Sequence, residues 1–283
     1  MTDNELRSEA LVKKARGGDR DALEQLVKAI KDPIFGLALR MLAEPADAED
    51  ATQEILIKVI TRLDSFRGES RLTTWVFAVA ANHLRSMGAR GGERQKLSFE
   101  QMSERQARLL PDTAAPAVEH AVLTREIRLI CLHGLLLCLD REHRLAYVLG
   151  DALELSGVEG AQVLGIQPDA FRKRLSRARQ RMKEFMLDHC GLVRPENQCR
   201  CEVWCDLGID AGIVEPESPR LAGHPADGDP DEDRDLDRRL ADLDELERIG
   251  LLFRSMPTYR APDRLLDRLS RMLTVEHDPT PRA

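Results

Sequence analysis

Four of the chain's six cysteines, Cys190, Cys199, Cys201 and Cys205, fall within sixteen residues, with His189 directly before them. A tetrahedral site of four thiolates, or one in which His189 replaces a cysteine, would suit zinc or cuprous copper. The same thiols could form a reversible dithiol switch, or be inert small hydrophobes. The spacing is no standard zinc finger, so the three readings stay open and no cofactor is certain. Structural disulfides fit less well, because the N-terminus MTDNELRSEA lacks the apolar core of a signal peptide and the default compartment is the cytoplasm. Cys131 and Cys138 sit seven apart among Leu129, Ile130, Leu135 and Leu136 and read as buried thiols.

A second chemistry precedes the cysteines. Pro168 opens a long basic helix in which Phe171, Leu175, Ala178, Met182 and Phe185 recur at three and four and make its buried side. Asp169, Arg172, Lys173, Ser176, Arg177 and Gln180 project from the opposite side. Arginine can bond guanine in bidentate fashion, serine can bond several base edges, and any of the cations can hold phosphates. Before this helix stand a short helix from 155 to 164 and Gly165 at a tight turn, a helix-turn-helix pattern. A basic face alone is often only solvated; behind such a motif it points to DNA.

The third chemistry lies in residues 47–90. From 48 to 63, Ala51, Ile55, Val59 and Leu63 form a buried stripe, while Asp50, Gln53, Glu54 and Ile57 share another face. That face is acidic and amide-rich, either a docking surface for a basic partner or a solvated helix side. Asp47 is the expected N-cap. The loop 64–71 carries Gly68 and several hydrogen-bonding side chains. A second helix, from Thr73 or Thr74 to about Met87, carries Trp75, placed mostly in the core, and Asn82 and Arg85 on one polar face.

These residues need helices to hold them. At 283 residues, with 4% aromatic and 32% charged residues, the chain suits an all-α protein of roughly two domains. No charge-free run is long enough to span a membrane. The net charge of −7 does not exclude DNA, because binding follows the local field of a patch. Helices are expected over 4–16 and from Asp19, with a second start at Asp32-Pro33. Residues 88–116 lack a sustained apolar period and read as a linker, with a short helix near 99–110. Residues 118–139 and 140–151 make further helices. Residues 215–235 read as disordered, followed by amphipathic helices near 236–256 and 261–273, the first with a stripe of Leu240, Leu243, Leu246, Ile249, Leu252 and Phe253.

Residues 47–90 resemble region 2 of the sigma-70 family of bacterial RNA polymerase sigma factors, in its extracytoplasmic-function group. The resemblance rests on Asp47-Ala48-Glu49-Asp50-Ala51-Thr52-Gln53-Glu54, Phe66-Arg67-Gly68-Glu69-Ser70, Thr74-Trp75 and Asn82. Leu164-Gly165-Ile166 and Arg174-Leu175-Ser176-Arg177-Ala178-Arg179 resemble region 4. The resemblance implies that Asp50, Gln53, Glu54 and Ile57 dock core RNA polymerase. It implies that Glu69, Ser70, Arg71, Trp75, Asn82 and Arg85 open and read the −10 element, the loop receiving a flipped base in a small polar pocket. Arg172, Lys173, Ser176 and Arg177 would then read the −35 element. Ala78 and Ala81 stand where basic residues are usual, which would shift promoter melting onto Arg85, Arg90 and the polymerase. Gly160 stands where a larger apolar residue is expected, which would loosen region 4.

The organisation expected is all-α: region 2 over 1–92, a linker over 93–117, region 4 over 118–188, a cysteine segment over 189–207 and a partly disordered acidic tail with amphipathic helices over 208–283. The function expected is promoter-specific initiation with core RNA polymerase, with promoter DNA as the second partner and no membrane. No nucleophile–base set or phosphate-cradling glycine loop marks an enzyme. Regulation could come from an anti-sigma factor or from the chain's own tail, folding back to mask basic DNA-binding faces. Some factors of this group carry a metal-sensing cysteine-rich tail, and the cysteine segment is similar in kind. The alternative is a polymerase-independent helix-turn-helix regulator of metal or redox response, which leaves Asp50, Gln53 and Glu54 without a role.

Overall fold

A computed structural model describes residues 3–89, 91–94, 96–110, 121–222, 232–266 and 268. Among them every regular element is helical, and the one pairing outside helices is an isolated parallel bridge between Cys190 and Cys199. Arg90, the linker's end at 111–117 and residues 223–231 and 269–283 of the expected tail lie outside the described residues.

Helix α1 (Asp3–Arg16) leads to α2 (Arg20–Leu42), whose Asp19 cap accepts a hydrogen bond from the Ala22 N–H at 3.0 Å. The second start expected at Asp32-Pro33 does not occur, and α2 runs through Pro33 unbroken. An interior proline costs about 3 kcal/mol. Here Ile30, Ile34, Phe35, Leu37, Ala38, Leu39, Met41 and Leu42 are all buried, and that packing outweighs the lost backbone bond. The Asp32 carboxylate caps nothing; it accepts the N–H of Ala261, far along the chain, at 2.9 Å.

Helix α3 (Pro45–Thr61) begins two residues before the expected Asp47 cap, because Pro45 occupies the first-turn position it favours and Glu44 becomes the flanking residue. Ala51, Ile55, Val59 and Leu63 are buried as their spacing predicts. Helix α4 (Leu72–Ser86) follows a short 3₁₀ turn at Leu63–Ser65. The linker residues form α5 (Gly91–Arg94) and α6 (Phe99–Leu109), the latter closed by a reciprocal capping box of Ser98 and Gln101.

Next come α7 (Ala121–Leu137), α8 (Arg141–Tyr147), a π-helical turn at Val148–Ala152, α9 (Gly157–Leu164) and α10 (Pro168–His189). Gly165 adopts φ +63°, the left-handed turn between α9 and α10. Gly160 is no packing defect: a Cβ there would lie 2.2 Å from the Phe171 ring, which occupies the space a larger residue would fill. The expected looseness at that position is therefore replaced by a close helix–ring contact.

The two helical blocks are joined rather than held apart, with α4 against α9 and α2 against α7. Arg144, nearly fully buried, clamps the junction. It donates to the carbonyls of Leu136 and Leu139, both at 2.9 Å, to the Met41 carbonyl on α2, and to Glu93 Oε1 on α5 at 2.9 Å. Arg141 grips the other oxygen of Glu93 at 2.5 Å. Burial acts to raise the Glu93 pKa, but the Arg141 bond and the Arg144 charge outweigh it and hold the carboxyl below its usual range.

Helix α11 (Val203–Asp210) packs on α7. Residues 215–222, expected as disordered, are fixed by the buried Glu126, whose carboxylate accepts the N–H groups of Arg220, Leu221 and Ala222 at 3.0, 2.9 and 2.6 Å. The tail helix expected over 236–256 is two helices, α12 (Glu232–Ala241) and α13 (Glu245–Arg254), because Asp244 and Glu247 form a capping box that starts a new one. The break shifts the phase of the stripe. Leu240, Ile249, Leu252 and Phe253 are buried, whereas Leu246 is exposed. One continuous apolar core runs from Val12 on α1 to Leu265 beyond α13.

Candidate nucleic-acid and protein interface

The acidic face of α3 keeps the predicted register. Asp50 and Glu54 are exposed, and Gln53 and Ile57 are half-buried. Glu54 lies 3.6 Å from His83 Nε2 on α4. The face is not bare. The chain after α13 crosses α2 and arrives here: Arg40 donates to the carbonyl of Pro257 at 3.1 Å and stacks over the buried Tyr259 ring. Arg264 then forms a fork on Glu49, its Nε 2.6 Å from Oε1, and Arg268 reaches Gln53 Oε1 at 3.5 Å. The Arg264 hydrogen bond holds the Glu49 carboxyl below its usual range, against a smaller opposing effect of burial. The sequence marked Glu49 only as part of the region 2 resemblance and did not mark its two arginines; a lone Arg-x-x-x-Arg in a tail carries no signal of its target.

The loop between α3 and α4 shapes a recess of about 220 Å³, lined by Ser65, Phe66, Arg67, Glu69, Ser70, Thr74, Trp75 and Ala78, and closed on one side by Gln162 of α9. Glu69, Ser70 and Trp75 thus meet around one small polar hollow, and Trp75 leans on Phe66 with ring centroids 5.5 Å apart. Arg71 is turned away, 3.3 Å from Glu159 on α9. Asn82 and Arg85 bond each other further along α4, where Glu142 of α8 lies 3.8 Å from Arg85. Ala81 is fully buried, so no phosphate contact was available at that position; Ala78 lines the recess.

On α10, Phe171, Leu175, Ala178, Met182 and Phe185 are buried and Arg172, Lys173, Ser176 and Arg177 are exposed, as the periodicity predicts. Arg172 pairs with Asp169, one turn before it. No tail residue among those described covers this surface.

Residues 26–90 match the family model described as Sigma-70 region 2. The chain is 27% identical to the ECF RNA polymerase sigma factor SigW of Bacillus subtilis over 179 residues, 62% of this chain and 95% of that protein. It is 29% identical to the RNA polymerase sigma-H factor of Pseudomonas aeruginosa over 178 residues, 62% of this chain and 91% of that one. Over that segment the chain is a sigma-70 region 2. The relatives it matches include sigma factors of the extracytoplasmic-function group. Among solved structures, a sigma factor RpoE from Bartonella quintana, determined with an anti-sigma factor, is similar over 58% of this chain and 95% of that one, at 22% identity and a TM-score of 0.40. Nearly the whole of each sigma relative is matched, whereas more than a third of this chain is not.

The cysteines of this chain do not assemble as their spacing suggested. Cys205 is buried apart, with Leu123, Ile127 and Val214, its sulfur 3.6 Å from the Thr124 hydroxyl. Cys190, Cys199 and Cys201 instead turn towards Cys131 of α7, and all four line one cavity. His189 stacks on Phe185, with centroids 4.5 Å apart. Among the described residues no three His, Cys, Asp or Glu side chains are gathered so as to hold a metal ion, so the five-residue zinc or copper set is not formed. Burial raises the pKa of each of the four cavity thiols, which opposes thiolate formation. Distance along the chain separates Cys131 from the cluster, so spacing gave no hint of it.

Proposed function

We propose that this protein recruits core RNA polymerase to a dedicated set of promoters and initiates transcription there, and that it is not an enzyme. The observation that carries this is the match of 26–90 to region 2, with the acidic α3 face and the loop recess both inside the matched segment. In this reading Asp50, Gln53, Glu54 and Ile57 dock the polymerase. Glu69, Ser70 and Trp75 receive a −10 base in the recess, with Arg71, Asn82 and Arg85 on the adjoining strand. Arg172, Lys173, Ser176 and Arg177 enter the −35 major groove. A polymerase-independent regulator would leave the α3 face unused.

We further propose that the chain's own tail regulates the step, in the opposite sense to the charge argument from sequence. Among the described residues the tail leaves the basic α10 face open, and its arginines reach α3 at Glu49 and Gln53, beside the acidic face. Polymerase would have to displace Arg264 and Arg268 to reach Gln53 and its neighbours. The α9 contact over the recess would have to part as well. Its exposed Arg71–Glu159 pair is worth about 0–1 kcal/mol and opposes that little.

Reconstituted run-off transcription with core polymerase tests the assignment. The double substitution Asp50→Lys with Glu54→Lys is expected to abolish holoenzyme formation while leaving −35 duplex binding unchanged. Holoenzyme formation at the wild-type level by that variant rules out the docking face.

A further inference from the structure

The cavity between the linker, region 4 and the cysteine segment is lined by several unrelated elements and is too large to be a packing fault. It holds about 580 Å³ and is lined by Met102 and Gln106 of α6, Cys131 of α7, Phe185 of α10, and Cys199 and Trp204 of the cysteine segment, among others. Cavities of this size bury most of a drug-sized molecule. Two buried polar atoms in the lining residues have no hydrogen-bond partner: Gln106 Oε1 and His133 Nε2. Such orphans are uncommon and costly. Gln106 already spends its amide N–H on Cys199 Sγ at 3.5 Å, leaving the oxygen, an acceptor. His133 Nδ1 lies 2.8 Å from the Leu129 carbonyl and donates to it, so Nε2 is also an acceptor.

The buried lining holds one charged side chain, Arg128, which has an interaction of its own, and is otherwise neutral. Burial lowers the His133 pKa to about 4, keeping the ring neutral, and keeps the thiols protonated. Of the other charged side chains in the lining, Glu44 and Arg220 pair with each other at 3.4 Å and Arg105 is exposed. Both orphan acceptors are sealed within the wall, and a ligand N–H or O–H would reach them as the side chain turns towards the cavity.

We propose that this cavity binds a neutral, largely apolar small molecule carrying one or two N–H or O–H donors, such as an aromatic amine or a phenol. The thiols act as soft apolar lining, with sulfur against the ligand's ring edges. Because the walls come from α6, α7, α10 and the cysteine segment, with Leu252 of α13 at one side, an occupant ties the linker and the tail to region 4.

N-phenyl-1-naphthylamine, neutral, with one N–H and fluorescent only out of water, is the probe. Added to the full chain it is expected to brighten with micromolar affinity and to take energy from Trp204; the other tryptophan, Trp75, lines the separate recess. Cys131→Phe, which fills the cavity from α7, should weaken binding at least tenfold. Trp204→Phe, a gentler change should the first fail to fold, should abolish the energy transfer and leave directly excited fluorescence. Gln106→Leu should weaken this probe a few-fold and leave 1-phenylnaphthalene, which lacks the N–H, unchanged.

Three results would overturn the proposal: no brightening with the wild-type chain, tighter binding of the anionic 1-anilinonaphthalene-8-sulfonate than of the neutral amine, or displacement of the probe by one equivalent of zinc. None of these measurements involves polymerase, so their outcome is separable from that of the promoter-recognition reading.

Discussion

The acidic face of α3 and the basic face of α10 carry opposite charge, and the chain treats them differently. The tail sets two arginines, Arg264 and Arg268, against Glu49 and Gln53 of α3. Among the described residues the α10 face meets partners on its own helix, Arg172 with Asp169 and Gln180 with Glu184. In an acidic chain the scarcer surface, the basic one, is left open for nucleic acid, and the abundant one is screened from within. Control by the tail would therefore act on polymerase recruitment and leave −35 binding alone.

The largest effect that would sharpen this contrast is on the open face. Arg172→Ala with Arg177→Ala should lower −35 duplex affinity by about 10- to 100-fold, as a base contact is worth about 1–3 kcal/mol. The log–log salt slope should also become shallower by about 0.9 for each phosphate that the variant no longer neutralises. Unchanged affinity in a gel-shift titration would mean that α10 is merely solvated.

The scaffold of that face is tested next. Alanine at Gly160 should gain about 1 kcal/mol of helix propensity, but collision with Phe171 should cost about 1–3 kcal/mol. The substitution is thus expected to lower stability in a urea melt; a stabilised variant would mean that the ring has room to move.

On the covered face the expected change is smaller and of opposite sign. Arg264→Glu with Arg268→Glu should raise polymerase affinity by about 3- to 10-fold, because the tail no longer holds Glu49 through a charge-assisted pair. Its −35 affinity should stay constant. Weaker polymerase binding would make the tail a part of the docking surface.

Last is pH. Because the folded Glu49 pKa is depressed, the Arg264 pairing is complete above the ordinary carboxylate range and disappears as pH falls through the depressed value. Hydrogen exchange over residues 256–266 should accelerate only in that acidic window. Glu49→Gln should remove the pH dependence; if it does not, another group holds the tail.

Much of this was legible in the sequence because it is periodic. The α3 stripe, the two sides of α10 and the Gly165 turn all follow from spacing at three and four residues, and the structure keeps each. What local rules could not reach was set by distant partners. Pro33 sits inside a helix because burial of the surrounding apolar residues overrides its local cost. Asp32 serves Ala261 and not its own helix start. Gly160 is tight where looseness was expected because the residue that fills its space, Phe171, is on the next helix. The thiols group differently from their spacing for the same reason: Cys131 lies 59 positions before Cys190 in the chain. The Glu93–Arg141–Arg144 clamp offered no signal, since single charges in a linker and a short helix look solvated until something buries them.

The anchoring of residues 220–222 on Glu126 has a consequence for the screened face. Only nine residues separate that fixed point from α12, a reach of no more than about 35 Å. A tether so short keeps the arginines near α3 at an effective concentration in the millimolar range. The same peptide supplied in trans would have to be added at comparable amounts to compete, and a single cut between 222 and 232 would leave the arginines held by the packing of α12 and α13 in the core alone.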